Sequence, residues 1–221
     1  MNSFVQFSLT VLAYAIPILL AIMLREVLHA YVARQFGDNG PAAAGRLSLN
    51  PLKHIDPFGT VLLPLLLLWA GLMPFGYPKA YPPGTVRVAE VYPHMTVIAL
   101  SGPLGNFIMG LAWVAFLFVL MLTGSDSEFL VKMGQVGMGV NAAMIVFNLL
   151  PIPPFDGGRA IAGQLPLALA QRFVQIERYS LFMVIGLLVL LQLGIFKGAF
   201  SGAINAVISL FVLLVKPFFP L

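Results

Sequence analysis

Apolar residues run along this chain in long blocks separated by short polar stretches. A helix needs roughly 20 apolar residues to span the hydrocarbon of a bilayer, and several blocks approach or exceed that length. The first runs from about Phe4 to Leu24, and its helical pattern continues through Tyr31 and Val32. It lacks a basic leader, so it reads as a retained span rather than a signal peptide. Further blocks cover about Thr96–Leu122, Leu130–Leu150, Leu181–Phe196 and Ala199–Leu214. The block Phe58–Met73 is short, carries Pro64, and is bracketed by Pro57 and Pro74. Such a segment suits a re-entrant element packed against protein. The pattern predicts an all-α integral membrane protein of five to six helices, with a re-entrant or β-hairpin element after the first. It predicts one membrane-embedded domain over 1–221, with a motif-bearing core in 1–160 and two additional helices in 161–221.

Composition strengthens this reading. Of 221 residues, 60% are hydrophobic and 9% charged, against about 25% charged in a soluble domain. The twelve basic residues are scattered singly, which argues against nucleic-acid binding. Cysteine is absent, so disulfides, thiolate metal sites and cysteine nucleophiles are excluded. Charge also orients the spans. Arg34, Arg46 and Lys53 follow the first, and Arg159, Arg172 and Arg178 follow the fourth. Asp126 and Glu128 lie between the third and fourth. The positive-inside rule predicts both basic clusters in the cytoplasm and the N-terminus outside, in a cell-membrane protein. Lys79 and Arg87 also favour the cytoplasm, which requires Phe58–Met73 to enter and leave on one side.

Ionisable residues at membrane depth mark functional sites by default. One group is Arg25, Glu26 and His29, at the far end of the first span. Positions 25 and 29 share a helix face, with 26 adjoining it. With histidine at 25 this would be H-E-x-x-H, which holds zinc and places a glutamate as general base; otherwise Glu26 and His29 are an interfacial pair. The second group is Asp156, within the run from Asn148 to Gly158, where three prolines in four residues break the helix. That run reads either as a helix stop or as a loop presenting a carboxylate. The charge-derived topology puts Asp156 and His29 at one depth, and zinc accepts both types of ligand.

Together these motifs resemble the site-2 protease family of intramembrane zinc metalloproteases. The chain has Glu26, His29 and Ala30; then Gly45, Arg46, Leu47, Ser48, Leu49 and Asn50, continuing through His54 to Gly59; then Ser101–Asn106; and finally Asn148–Gly158. The resemblance covers residues 20–160 and implies a protease cleaving membrane-embedded or single-pass substrates with one zinc ion. It implies Glu26 as general base and His29 and Asp156 as zinc ligands. Asn148 is either a substrate-binding amide or a packing amide, and Asn141 reads as packing. Residues 45–50 read as an extended hairpin that pairs with an unwound substrate strand.

Arg25 departs from the family pattern, because it stands where the first ligand histidine belongs. Guanidinium offers no lone pair to a metal. A second unit charge about 4 Å away would repel it by about 4 kcal/mol at an effective dielectric of about 20. Arg25 instead suits a metal mimic bridging Glu26 and Asp156, which implies an inactive or impaired protease. His54 belongs to a separate motif and is a poor replacement ligand. The alternative function is a non-catalytic pseudoprotease that binds membrane peptides. A transporter would need central charges on several helices, and the last two blocks have none.

Overall fold

The computed structural model describes residues 3–62, 66 and 94–219. Helix α1 spans Ser3–Gln35, and the short α2 spans Gly40–Ala43. A 3-10 turn (Pro51–Lys53) and a wide helical turn (Pro57–Leu62) follow. Then come α3 (Met95–Leu122), α4 (Glu128–Asn148), α5 (Asp156–Ala162) and α6 (Leu167–Val174). The last long helices are α7 (Ser180–Gln192) and α8 (Lys197–Val215). Helices α1, α3, α4 and α8 are each long and apolar enough to cross a membrane. Block Leu181–Phe196 corresponds to α7, which is short for a crossing by itself. At about 1.5 Å per residue α7 reaches only about 20 Å. It attains membrane length only with the preceding helical segment, from which it is bent by 67°.

Lipid tails are as apolar as leucine, so burial from water cannot hold these helices to one another. Close van der Waals packing at small residues does so instead. Helix α1 buries Ala13, Ala21, Ala30 and Ala33. It approaches α3 closely at Gly105, where an added Cβ would sit 3.3 Å from the Arg25 Cα. Trp113 and Leu117 of α3 lie over Gly137 and Gly134 of α4, and Phe211 of α8 fills the space beside Gly110. Phe211 joins Val114, Ala142, Ile145 and Val215 in a buried cluster, so α8 is built into the α3–α4 core.

Helix polarity follows from these contacts. Phe36, just beyond α1, stacks on His94, just before α3, at 4.4 Å between ring centres. The chain therefore leaves α1 and enters α3 at the same end of the bundle. This is the arrangement that a segment entering and leaving on one side requires. Most of Phe58–Met73, with Lys79 and Arg87, lies outside the described residues. The turn at Thr123–Ser127 reverses direction, and Ser127 caps α4 by accepting from the Leu130 amide. Asp156 consequently returns to the end where α1 finishes.

The expected hairpin at Gly45–Asn50 is not formed; the described residues contain no β-strand. Local side chains claim the backbone donors instead. The Asn50 amide donates to Ser48 Oγ and the Leu52 amide to Asn50 Oδ1. The Ser48 amide closes a turn onto Gly45, whose φ is +77°. Short serine and asparagine side chains compete in this way with a strand ladder.

This arrangement predicts a labelling pattern. Single cysteines at the exposed positions Asn39 and Lys53 should react with an impermeant thiol reagent from one side of the membrane. A cysteine at Asp126 should react only from the other. Reaction of all three from one side would disprove the helix polarity.

Candidate active site

The last turns of α1 carry Arg25, Glu26 and His29, all buried. A charge cannot rest there alone, because few waters are available to solvate it. Arg25 meets that requirement with several partners. Its Nη1 donates to Glu26 Oε1 at 2.5 Å. Its Nη2 donates to Asp156 Oδ2 at 2.5 Å and to Asn148 Oδ1 at 3.1 Å. The guanidinium thus ties α1 to the end of α4 and to the first residue of α5. The sequence-derived bridge between Glu26 and Asp156 is formed as expected.

Asp156 is 2% exposed. Its position depends on the break after α4. Gly157 and Gly158 lie directly on the backbone of Leu149–Leu150 and Ile152–Pro153, where an added Cβ would overlap. Helix α5 is then fastened to α3. Thr96 Oγ1 donates to the Ala160 carbonyl at 2.9 Å and accepts from Gln164 Nε2 at 2.8 Å. Asn148, left open between packing and site roles, does both. Its Nδ2 donates to the Met144 carbonyl at 2.8 Å while its Oδ1 accepts from Arg25.

His29 lies one turn beyond Arg25, within electrostatic reach of Asp156, Glu26 and Arg159. Its Nδ1 is buried with no hydrogen-bond partner. His54 is also buried, but its Nε2 sits 2.6 Å from the Ser48 carbonyl. It therefore tethers the 45–54 loop rather than joining the α1 group.

The 45–50 segment contributes unevenly. Arg46 is buried at the base of the loop, and Leu49 and Asn50 are exposed. Leu47 lines an apolar groove of 530 Å³ with Leu24, Val27, Leu28 and Tyr31 of α1 and Gly105, Ile108 and Met109 of α3. Gly102 has no site role in the sequence pattern. An added Cβ there would fall 2.8 Å from Asp156 Oδ2 and 3.2 Å from Arg25 Nε. Helix α3 thus forms one wall of the charged centre, and a larger residue at 102 would displace the paired side chains. The signal available was the run of small residues in Ser101–Asn106, inside an otherwise bulky helix.

This constellation can be compared with known proteins. A Bacillus subtilis (strain 168) protein named "Putative zinc metalloprotease YwhC" is 31% identical over 197 residues, covering 86% of each chain. The chain belongs to the site-2 protease family of zinc metalloproteases. A Mycolicibacterium smegmatis protein named "Putative zinc metalloprotease Rip2" is 27% identical over 77% of this chain and 64% of its own length. A Methanocaldococcus jannaschii relative, "Putative zinc metalloprotease MJ0611", is 44% identical over 64 residues, covering 29% of this chain and 31% of its own. No family model and no solved structure matches the chain.

Membership of a zinc metalloprotease family implies zinc, and the geometry of this family member can be tested against it. The orphaned Nδ1 of His29 is one suitable donor. The two carboxylates, however, each spend an oxygen on the Arg25 guanidinium, which already supplies a cation between them. Among the described residues, no three histidine, aspartate or glutamate side chains are grouped to hold a metal. The residues present do not fit zinc.

The buried bridge yields a stability prediction. Removing one partner of a buried ion pair costs about 3–5 kcal/mol, because the remaining charge is uncompensated. Arg25→Met should lower the unfolding free energy in mixed micelles by about that amount. Adding Glu26→Gln and Asp156→Asn should recover much of the loss. An Arg25→Met protein as stable as its parent would show that the bridge carries no net stability.

Proposed function

We propose that this chain is an intramembrane metalloprotease homologue silenced at its own centre, and that it holds membrane-embedded peptides without cleaving them. The observation that carries this reading is the Arg25 guanidinium bonded to Glu26, Asp156 and Asn148. Glu26 is the family's general base by position, and here one of its oxygens accepts from guanidinium instead of taking a proton from water. Asp156 is similarly engaged. A fixed organic cation leaves no open coordination position, so zinc binding in this chain is weak and peptide hydrolysis does not proceed.

The substrate side remains built. The apolar groove between α1 and α3 runs beside Leu47 and matches the chemistry of a segment from a single-pass or other membrane protein. Such a segment must unwind before its scissile carbonyl is accessible, since a helix ladder protects it. The exposed residues Leu49 and Asn50, which follow Leu47 in the chain, are the proposed place to receive it. The cytoplasm is the proposed side for the Arg25 end, with the N-terminus outside. Arg34 and Lys53 follow α1 and Arg159, Arg172 and Arg178 follow α4 in the chain, whereas Asp126 and Glu128 lie at the opposite turn.

Exchange of the blocking residue tests the reading. The parent protein should purify without stoichiometric zinc and leave a panel of helix-broken membrane peptides intact. Arg25→His restores a neutral nitrogen donor one turn before His29 and releases Asp156. That variant should bind zinc and cleave part of the panel. Adding Glu26→Gln should preserve zinc binding and lower turnover by about 10²–10⁴-fold, the usual contribution of a general base. Tightly held zinc or zinc-dependent cleavage in the parent would refute the silencing. An Arg25→His protein that binds zinc but cleaves nothing would refute the hydrolytic ancestry of the centre.

A further inference from the structure

Helix α3 buries a side-chain amide, Asn106, that is 0% exposed. Its Oδ1 is buried with no hydrogen-bond partner among the described residues, a cost at this depth, so Asn106 is held by the contacts of its Nδ2. Its Nδ2 donates to the Ala21 carbonyl of α1 at 3.3 Å and to Asn141 Oδ1 of α4 at 3.0 Å, and it lies 3.7 Å from Met144 Sδ. Asn141 is itself held through Nδ2 by the Gly137 carbonyl at 2.8 Å. One amide on α3 therefore touches both α1 and α4.

The positions of those contacts matter. In an α-helix the Ala21 carbonyl is the acceptor for the Arg25 amide, four residues on. Met144 stands in the same relation to Asn148, and its carbonyl also takes the Asn148 side chain. Asn106 thus grips the turn before Arg25 and the turn before Asn148. Those two residues then bond to each other, and Gly102, one turn earlier on α3, backs their union with Asp156. Rotating a helix by one residue turns its side chains by about 100°, so a slip of α1 or α4 would separate Arg25 from both partners.

We infer that Asn106 is a positioning residue, setting the register of α1 against α4 that brings the Arg25 guanidinium onto Asn148 and Asp156. This concerns the geometry of the centre and holds whether or not the centre hydrolyses peptides. Asn141 supports Asn106 from α4.

Nitrogen NMR of arginine side chains in the full-length, micelle-solubilised protein tests the inference. The Arg25 signals are assigned by their loss in Arg25→Lys. In the parent, the Nη protons should be resolved and slow to exchange with solvent. Asn106→Ala should collapse those signals and remove their protection. Phe211→Ala is the control. It empties a packing site beside Gly110, away from the centre, and should lower thermal stability while leaving the Arg25 signals protected. If Asn106→Ala does not fold, Asn106→Ser is read by the same criterion. Protected Arg25 signals in the Asn106 variant, or equal disturbance by Phe211→Ala, would overturn the assignment.

Discussion

A charge placed inside a membrane bundle must bring its partner with it, and this constraint organises the molecule. Arg25 sits where solvent is scarce, so its guanidinium gathers Glu26 from its own helix and Asn148 and Asp156 from the α4–α5 junction. The fork of guanidinium donors can satisfy several oxygens at fixed angles, which an ammonium cannot do as a single point charge. Metal and guanidinium are alternative solutions to one electrostatic problem, since each neutralises carboxylates brought together by the fold. They differ in chemistry. A metal keeps an open position for a reactant, whereas a guanidinium only donates hydrogen bonds.

The rest of the bundle makes that meeting possible without help from the hydrophobic effect. Glycine and alanine let the helices approach, and the larger residues Trp113, Leu117 and Phe211 fill the space left beside glycines. The glycines nearest the charges are closely confined as well. Gly102 leaves room for the Arg25–Asp156 pair, and Gly157 and Gly158 let α5 fold back on the end of α4. Asn106 adds direction to this packing, because a hydrogen bond specifies register where apolar contact alone tolerates sliding.

Much of this was legible in the chain. Block length and scarcity of charge identified a helical membrane protein. The polar residues buried within blocks identified the centre, and arginine at position 25 announced that the centre was altered. Other features were less legible for definable reasons. Residues 45–50 alternate in a way that suits a strand, but Ser48 and Asn50 satisfy neighbouring amides locally and turn the chain. The block at Leu181–Phe196 has the composition of a span, yet composition does not encode the 67° bend between it and the helical segment that precedes it.

The sequence by itself determined which residues could not stay solitary in lipid: two carboxylates, a guanidinium, an imidazole and several amides. Their types follow from covalent chemistry, and the cost of burying them unpaired follows from desolvation. Only the tertiary structure decided who pairs with whom. Arg25 and Asp156 are 131 positions apart, and Asn106 reaches both α1 and α4. Such pairings depend on helix polarity, rotation and approach distance, which are set by packing across the whole bundle and have no local pattern along the chain. Gly102 shows the same limit: a small residue in an apolar helix reads as permissive, and only the folded bundle reveals the charged pair that fills the space it leaves.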